Sequence, residues 1–569
     1  MQRKGMSQSC IELKKSNCKN CYKCIRYCPV KSIRFSGSQA RVLEDECIYC
    51  GRCIVVCPQK AKVARNDVEK VKVMLASGSP VCVSVAPSFV ANYRGATISS
   101  ISDALKALGF AEVEETALGA SMVKNQYDAL VREERQDVFI STCCHSLNLL
   151  VRRHFPEAIP YLARVVSPMV AHCHSLKERF PGCKTVFIGP CVAKKHEQTE
   201  HKEDVDCVLT FPELTAWLKE KGLSVKPGED HNDYSKARLF PSCGGILKTM
   251  ECDNPNYTYL AIDGHRACIK AIRDILEGRV HKCFVEMSMC DGSCVCGPIV
   301  DSNEQTPVSG YLAVKQYAGH RDFVLPQYNS EELRCEHPYG VVPHEEPSEE
   351  EIKRILKMVG KVSKADELNC GCCGYDSCRD KAIAVIRGKA DLSMCLPFLK
   401  DRAESFSESI MNNTPNGIII LNESMEMQQI NNEALNILNL RDSSAVLGEK
   451  IDRVLDPQIF HEVELSGDNV LNRNIYLADY LKHVDVSVIY DGNYHTYMCI
   501  MRDITAEANA QEEKDKIRQH TIEVADQVVV KQMRVVQDIA SLLGETVAET
   551  KIALTKLKES LSNESTAVY

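Results

Sequence analysis

A chain of 569 residues is too long for one hydrophobic core and, at roughly 150 residues per domain, divides into about four units. Hydrophobic residues at 44% and charged ones at 26% exclude extended disorder, and a net charge of -8 argues against nucleic acid or an anionic membrane as partner. Thirty cysteines are the outlier: no apolar h-region follows Met1 and no run of 18 apolar residues occurs, so a reduced, cytoplasmic protein with no membrane span is expected, its cysteines metal ligands rather than disulfides.

The first element is an internal repeat of about 29 residues, Cys18-x2-Cys21-x2-Cys24-x3-Cys28-Pro29 and Cys47-x2-Cys50-x2-Cys53-x3-Cys57-Pro58. This spacing is the bacterial two-cluster ferredoxin signature, in which the fourth Cys of each run ligates the other cluster. One 4Fe-4S cluster is expected on Cys18, Cys21, Cys24 and Cys57, the other on Cys47, Cys50, Cys53 and Cys28, within a domain of residues 1–74. Zinc motifs need neither the doubled x2, x2, x3 spacing nor a proline after each run.

Residues 75–330 alternate buried strands with helices. Val81-Cys82-Val83-Ser84-Val85, Asp137-Val138-Phe139-Ile140 and Thr185-Val186-Phe187-Ile188 are apolar runs, and Ile101–Leu108 and Leu214–Lys221 carry helical periodicity, which predicts an α/β sheet. Each run ends just before a motif, and open α/β sheets bind at the C-terminal ends of their strands. The motifs are Val85-Ala86-Pro87-Ser88, Ser141-Thr142-Cys143-Cys144-His145, Gly189-Pro190-Cys191-Val192-Ala193-Lys194-Lys195-His196-Glu197 and Glu286-Met287-Ser288-Met289-Cys290-Asp291-Gly292-Ser293-Cys294. Small residues around Cys290 and Cys294 let backbone fold closely about a bound group.

The last three of these resemble, in order, the signature loops of iron-only (di-iron) hydrogenases, which read TSCCP, PCxxKxxE and ExMxCxGGC. The resemblance implies an H-cluster: a cubane on Cys144, Cys191, Cys290 and Cys294, with Cys294 bridging to a di-iron subcluster bearing CO and CN ligands. Ala86, Pro87 and Ser88 would face that subcluster. Lys194 would donate a charge-assisted hydrogen bond to a cyanide, a bond of roughly 1.5–3 kcal/mol, with Glu197 one turn on holding the ammonium. A cubane alone gives no reason for Lys194, which weighs against a scaffold or electron-transfer relative lacking the di-iron centre. The family's proton path passes a Cys, here Cys143, then two Glu of an EExxE segment. Glu115 is kept, but the last Glu is Leu118, which carries no proton. Gly189 and Ser288 stand where productive enzymes place Met, so slow turnover is expected. Cys144 and Cys294 are 150 positions apart, and closing that loop costs about 4 kcal/mol, so the metal-free form should be looser.

Cys82, Cys173, Cys183, Cys207, Cys243, Cys252, Cys268, Cys283 and Cys296 show no ligand spacing and are read as buried thiols, with Cys243 singled out by the two glycines that follow it. Pro326, Pro338, Pro343 and Pro347 among acidic residues read as a linker over 321–350. Residues 350–402 carry Cys370-Gly371-Cys372-Cys373-Gly374-Tyr375-x2-Cys378 and then Cys395-Leu396-Pro397. They resemble the small 4Fe-4S domain of corrinoid iron-sulfur proteins, implying ligands Cys370, Cys373, Cys378 and Cys395, with Cys372 outside the pattern and a helix over Lys381–Leu392.

Residues 405–505 lose cysteine except Cys499, and Thr414-Pro415-Asn416-Gly417, Ile430-Asn431-Asn432-Glu433-Ala434 and Arg502-Asp503-Ile504-Thr505 resemble a PAS sensor domain, whose ligand, if it has one, no residue identifies. Over 506–569, Val524, Val528, Val535, Ile539 and Leu542 form a helical seam suited to pairing two subunits in a homodimer. His520 is read as part of a solvated face, since only 49 residues follow it. The fold expected is multidomain α/β and α+β. The function expected is a hydrogen sensor that passes redox state through 4Fe-4S clusters to the PAS unit, with a redox partner protein and a signalling partner acting in trans. The alternatives are a metabolic hydrogenase exchanging hydrogen and protons through a ferredoxin-type relay, and a cluster scaffold.

Overall fold

The buried apolar runs form seven parallel strands in two sheets. β1 (Val81–Val85), β2 (Glu112–Glu115), β4 (Lys184–Gly189) and β5 (Cys207–Thr210) make one in the order β2-β1-β4-β5, and β3 (Val138–Ile140), β6 (Thr258–Asp263) and β7 (Cys283–Ser288) make the other in the order β6-β7-β3. β1, β3 and β5 are buried at every residue, as strands covered on both faces must be. Helices α1 (Ala117–Glu133), α2 (His145–His154), α3 (Pro168–Arg179) and α4 (Ala193–Glu200) fill the crossovers. The chain is a computed structural model that describes residues 9–14, 17–230, 232–300, 306–341, 343, 346–543 and 547–563, so the start at Met1 lies outside it.

The N-terminal repeat is written in the backbone as well as in the cysteines. Non-glycine residues in the left-handed region fall at Asn20 and Tyr49 and at Lys31 and Lys60, each pair 29 positions apart, and Tyr22 matches Gly51 in the same way. Two antiparallel pairs, Ile11–Leu13 with Lys62–Ala64 and Ile33–Ser36 with Gln39–Val42, close this unit.

Two local expectations are corrected. The proline-rich stretch from 321 is no free linker through residue 338: Leu333 is buried, its carbonyl accepts from Val166 N at 2.9 Å, Arg334 bridges to Val165, and Pro338 O accepts from Arg152 Nε at 3.0 Å. Prolines cost this strap few bonds because it runs extended, bonded only at intervals. The helix expected over Lys381–Leu392 is α5 (Cys378–Ile386), ended by Gly388 at φ 65°, after which a single turn at Leu392–Met394 leads to Cys395.

Residues 1–399 pack as one compact unit and 400–569 as another. The second holds an antiparallel sheet of β8 (Gly417–Asn422), β9 (Met427–Ile430), β10 (Val470–Leu477), β11 (Lys482–Asp491) and β12 (Thr496–Asp503) in the order β9-β8-β12-β11-β10. One face is packed, as the alternation Val484, Val486, Val488 predicts. Beyond it α6 (Thr505–Leu543) is followed by α7 (Val547–Asn563), which folds back so that Lys558 pairs with Asp526 at 3.2 Å. Val524, Val528, Val535 and Ile539 remain half exposed, and the side chain of Leu542 lies outside the described residues. No helix among the described residues is long and apolar enough to cross a membrane.

Candidate metal centre

The C-terminal ends of β1, β3, β4 and β7 converge. Cys144 precedes α2, Cys191 lies between β4 and α4, and Cys290 and Cys294 occupy the loop after β7. That loop turns through Gly292 at φ 84° and Ser293 at φ 58°, and Asp263 at the end of β6 accepts from Gly292 N at 2.6 Å. The four thiols act on one another. Burial raises the Cys290 thiol first, and Cys191, Cys144 and Cys294 raise it further; burial and then Cys144 push Cys191 to about 11, against the pull of Lys194. Four converging thiols, of which Cys191, Cys290 and Cys294 are raised by burial, fit a group whose positive charge replaces their protons, as a cluster's iron does.

Beside Cys294 lies a cavity of about 100 Å³ whose lining includes Ala86, Pro87, Ser88, Cys143, Cys191 and Lys194, together with Thr116, Phe187 and Pro168. Ser88 Oγ is buried without a hydrogen-bond partner. Lys194 Nζ donates to Glu197 Oε2 at 2.6 Å and to Cys143 O at 3.2 Å, which engages two of its three protons. Burial pulls the ammonium down, but Glu197 and then Cys191 and Cys143 outweigh it and raise its pKa. An orphan hydroxyl and a fixed ammonium on an otherwise apolar wall suit a compact ligand bearing small acceptors, and a di-iron unit with cyanides fits that donor set.

Phe187 is a wall residue that sequence reasoning missed, since in the strand pattern it reads as plain core. A Cβ built on Gly189 would lie 2.6 Å from its ring, so the missing side chain at 189 is what admits the phenyl group. Ser288, the other position noted in the sequence, donates to or accepts from Ser293 Oγ at 2.7 Å.

The expected proton path is not continuous in hydrogen bonds. Cys143 Sγ contacts Tyr127 Oη at 3.3 Å, and burial pushes its pKa to about 12 against the Tyr127 bond and Lys194. Glu115 does not line the cavity. It accepts from Arg238 Nη2 at 2.6 Å, Arg238 Nε at 2.9 Å and Tyr317 Oη at 2.9 Å, and Arg238 also binds Asp230 at 2.7 Å. Burial raises Glu115 against the pull of Arg238 and Tyr317.

The ferredoxin-type cysteines gather into two sets. Cys21 and Cys57 act on Cys24, and Cys28 acts on Cys47 and Cys50, while Cys18, Cys21, Cys24 and Cys57 line one pocket. Cys47, Cys50 and Cys28 likewise act on Cys53, after the burial that dominates its rise. Cys50 and Cys290 line a shared pocket, closed by Arg52 bonded to Asp291 at 2.8 Å, so one ferredoxin set adjoins the loop after β7. Cys370, Cys373, Cys378 and Cys395 line a further pocket, with Cys372 at its wall. This small unit docks on the ferredoxin-type unit: Arg26 donates to Gly371 O and Cys372 O at 3.2 Å each, Lys31 donates to Gly374 O at 3.0 Å, and Lys389 pairs with Glu46. The three groups of cysteines thus adjoin in series. Cys82, Cys173, Cys183, Cys207, Cys268 and Cys283 are buried thiols, whereas Cys243, Cys252 and Cys296 are partly exposed.

Comparison with known proteins matches residues 79–298 to the iron only hydrogenase large subunit, C-terminal domain, residues 10–58 to a 4Fe-4S dicluster domain, and residues 366–397 to a putative Fe-S cluster family. The periplasmic [Fe] hydrogenase large subunit of Nitratidesulfovibrio vulgaris is 22% identical over 385 residues, covering 54% of this chain and 91% of that protein. The cytosolic Fe-S cluster assembly factor NAR1 of Kluyveromyces lactis is 30% identical over 188 residues, covering 29% of this chain and 40% of its own length. A solved apo [FeFe]-hydrogenase HydA1 from Chlamydomonas reinhardtii matches with a TM-score of 0.39 at 18% identity, covering 49% of this chain and all of that one.

Proposed function

Starting from an iron-sulfur protein with an iron-only-hydrogenase large-subunit-like domain and 4Fe-4S domains, we propose that this chain senses hydrogen. Cys144, Cys191, Cys290 and Cys294 would hold the cubane, with Cys294 facing the cavity beside it. A di-iron unit bearing CO and CN, when bound at Cys294, supplies the chemistry of splitting hydrogen. Lys194, fixed by Glu197, would orient a cyanide; Ser88 Oγ would give its free bond to the same group; and the apolar wall of Ala86, Pro87 and Phe187 would exclude water. The observation that carries this reading is the Lys194 ammonium, held at 2.6 Å by a buried carboxylate and lining a cavity next to a cluster ligand. A cubane alone uses none of that.

Sensing is favoured over metabolic flux by three features: Leu118 interrupts the family's relay, Glu115 is clamped by Arg238 away from the cavity, and the Phe187 ring in the cavity wall occupies the space that Gly189 leaves. Electrons would pass from the cubane to the Cys50 set, which adjoins Cys290, and on through the ferredoxin-type and small units to a redox partner. The five-stranded antiparallel sheet of 400–569 is compatible with a PAS unit, and the half-exposed stripe at Val524, Val528, Val535 and Ile539 supports a homodimer signalling in trans. We assign the parts as 1–74, 75–330, 350–402, 405–505 and 506–569. Nothing in the charge balance favours nucleic acid.

A second reading, a cluster scaffold without di-iron, is favoured by the 30% identity to an Fe-S cluster assembly factor. Infrared spectroscopy of protein made together with the di-iron maturation enzymes separates the two. Bands of metal-bound CO and CN are expected; a spectrum without them refutes both hydrogenase readings and leaves the scaffold.

A further inference from the structure

Glu114 and Glu115 are neighbours on β2, so they point to opposite faces of the sheet. Glu115 meets Arg238, and Glu114 meets a different network. Its Oε2 accepts from His172 Nε2 at 3.1 Å, and Arg179 holds both its oxygens, at 2.7 and 2.6 Å. His172 Nδ1 lies 2.8 Å from Ser84 Oγ on β1, and Ser84 Oγ lies 2.6 Å from Thr116 Oγ1. Thr116 lines the cavity beside Cys294. At the other end Glu114 and Arg179 keep 18% and 29% of their side chains exposed, whereas His172 is wholly buried.

The donor and acceptor roles follow from the end groups. A carboxylate only accepts, so Nε2 carries the imidazole proton and Nδ1 accepts from Ser84 Oγ, which leaves Ser84 to accept from Thr116. The chain is continuous in one direction, from cavity to surface. Its closeness depends on Gly119 of α1: a Cβ there would lie 2.4 Å from Pro168 O and 2.7 Å from the Cβ of His172, so glycine is what lets α3 approach and His172 reach β1.

We propose that Thr116, Ser84, His172 and Glu114 form a proton relay between the cavity and the surface, a route on the opposite face of β2 from Glu115. This rests on the hydrogen-handling reading above. A proton released in the cavity joins Thr116 Oγ1 as the Thr116 proton moves to Ser84 Oγ, the Ser84 proton to His172 Nδ1, and the Nε2 proton to Glu114 and then to water. One proton enters, one leaves, and no electron moves. The step leaves the imidazole proton on Nδ1; tautomerisation of His172, which moves that proton to Nε2 with no net gain or loss, and rotation of the two hydroxyls reset the chain. Glu114 is a positioning residue as well as the exit: burial raises its pKa, but Arg179 and His172 outweigh burial and hold it at about 2, and burial lowers His172, with Glu114 opposing and Arg179 adding to the fall. Both ends of the last step therefore hold a proton only briefly, which makes the relay slow.

Two measurements test it. In the full chain prepared without the di-iron unit, nitrogen-15 NMR of labelled histidines, with the His172 signal identified by its loss in His172→Gln, should show Nε2 protonated and Nδ1 bare; a proton on Nδ1 overturns the relay. In the chain loaded with di-iron, His172→Gln and, independently, Ser84→Ala should slow isotope exchange between D2 gas and water by at least about tenfold, the lower side of what a positioned proton-transfer group contributes. CO and CN bands should stay unchanged, and Ser84→Thr, which restores the hydroxyl, should recover most of the loss. Unchanged bands with unchanged exchange in both variants overturn the relay alone. A parent chain with neither bands nor exchange overturns the hydrogen reading and the relay with it.

Discussion

Replacing Arg238 by Met removes the partner of a carboxylate that has no access to water. Arg238 and Glu115 side chains are 1% and 4% exposed, and three hydrogen bonds of 2.6–3.1 Å join them, so the variant leaves Glu115 with only the Tyr317 hydroxyl at 2.9 Å. Breaking one side of a buried ion pair costs about 3–5 kcal/mol. At about 2 °C per kcal/mol for a large unit, the apparent melting temperature at a fixed scan rate should fall by roughly 6–10 °C. The deficit should depend on pH in a defined sense. Burial already raises the Glu115 pKa in the parent, and loss of the guanidinium raises it further. A carboxyl raised in the folded state is released more readily on unfolding, so stability is lost as pH climbs from its unfolded value near 4.3 through the folded one. The gap between variant and parent should therefore narrow as the pH is lowered toward about 5. Glu115→Gln in the Arg238→Met background removes the buried charge and should restore more than half of the lost temperature. A single variant melting within about 2 °C of the parent, or a double variant no better than the single, would refute the clamp as the role of this pair.

Other outcomes follow from the same geometry. Cys294→Ala should abolish hydrogen reactivity and leave the reduced EPR signals of the ferredoxin-type clusters, because Cys294 is the thiol proposed to bridge cubane and di-iron unit; reactivity at the parent rate would show the bridge is elsewhere. Gly189→Met should lower the apparent melting temperature, since overpacking against the Phe187 ring costs about 1–3 kcal/mol, and Phe187→Ala in the same chain should offset it; two additive losses would count against their sharing one space. Val528→Glu with Ile539→Glu should convert a dimeric full-length chain to monomers by light scattering with CO and CN bands unaltered, and a dimer that survives would move the subunit contact off α6.

Cysteine spacing carries much of this molecule because a cubane dictates short, repeated loops: the sets around Cys57 and Cys28, which cross between the two halves of the repeat, can be read from order alone. The strand ends preceding Cys144 and Cys191 were equally legible, since continuous apolar runs between helices have few other uses, whereas the strand before Cys290, which carries Glu286 in its middle, was not read. What escaped is long-range. Arg238 meets Glu115 across 123 positions, and His172 meets Ser84 across 88, with no local pattern to announce either. Phe187 was hidden by its own strand, where a large apolar residue signals only burial. The helix after Cys378 was drawn too long because its periodicity continues past Gly388, whose positive φ stops it. The strap beyond residue 321 was read as a tether because prolines mark both tethers and extended segments, and only the bonds at Leu333 and Pro338 tell them apart.

The packing of that strap bears on where the polypeptide tolerates being cut. The large-subunit match ends at residue 298, but a chain stopped at 330 would lose Leu333, leave the Val166 amide without its carbonyl and break the bridge between Val165 and Arg334. Stopping at 349 would keep the strap and strip the small unit from Arg26, Lys31 and Glu46, removing the bonds these side chains make to it. The first compact unit ends at Leu399, within a helix that runs from Leu396 to Asn413, so a cut there would keep the small unit but break that helix. Recombinant fragments intended to retain all the candidate cluster-binding cysteines should therefore run to residue 413, the end of that helix, and a protease that nicks the 321–338 strap should do so slowly.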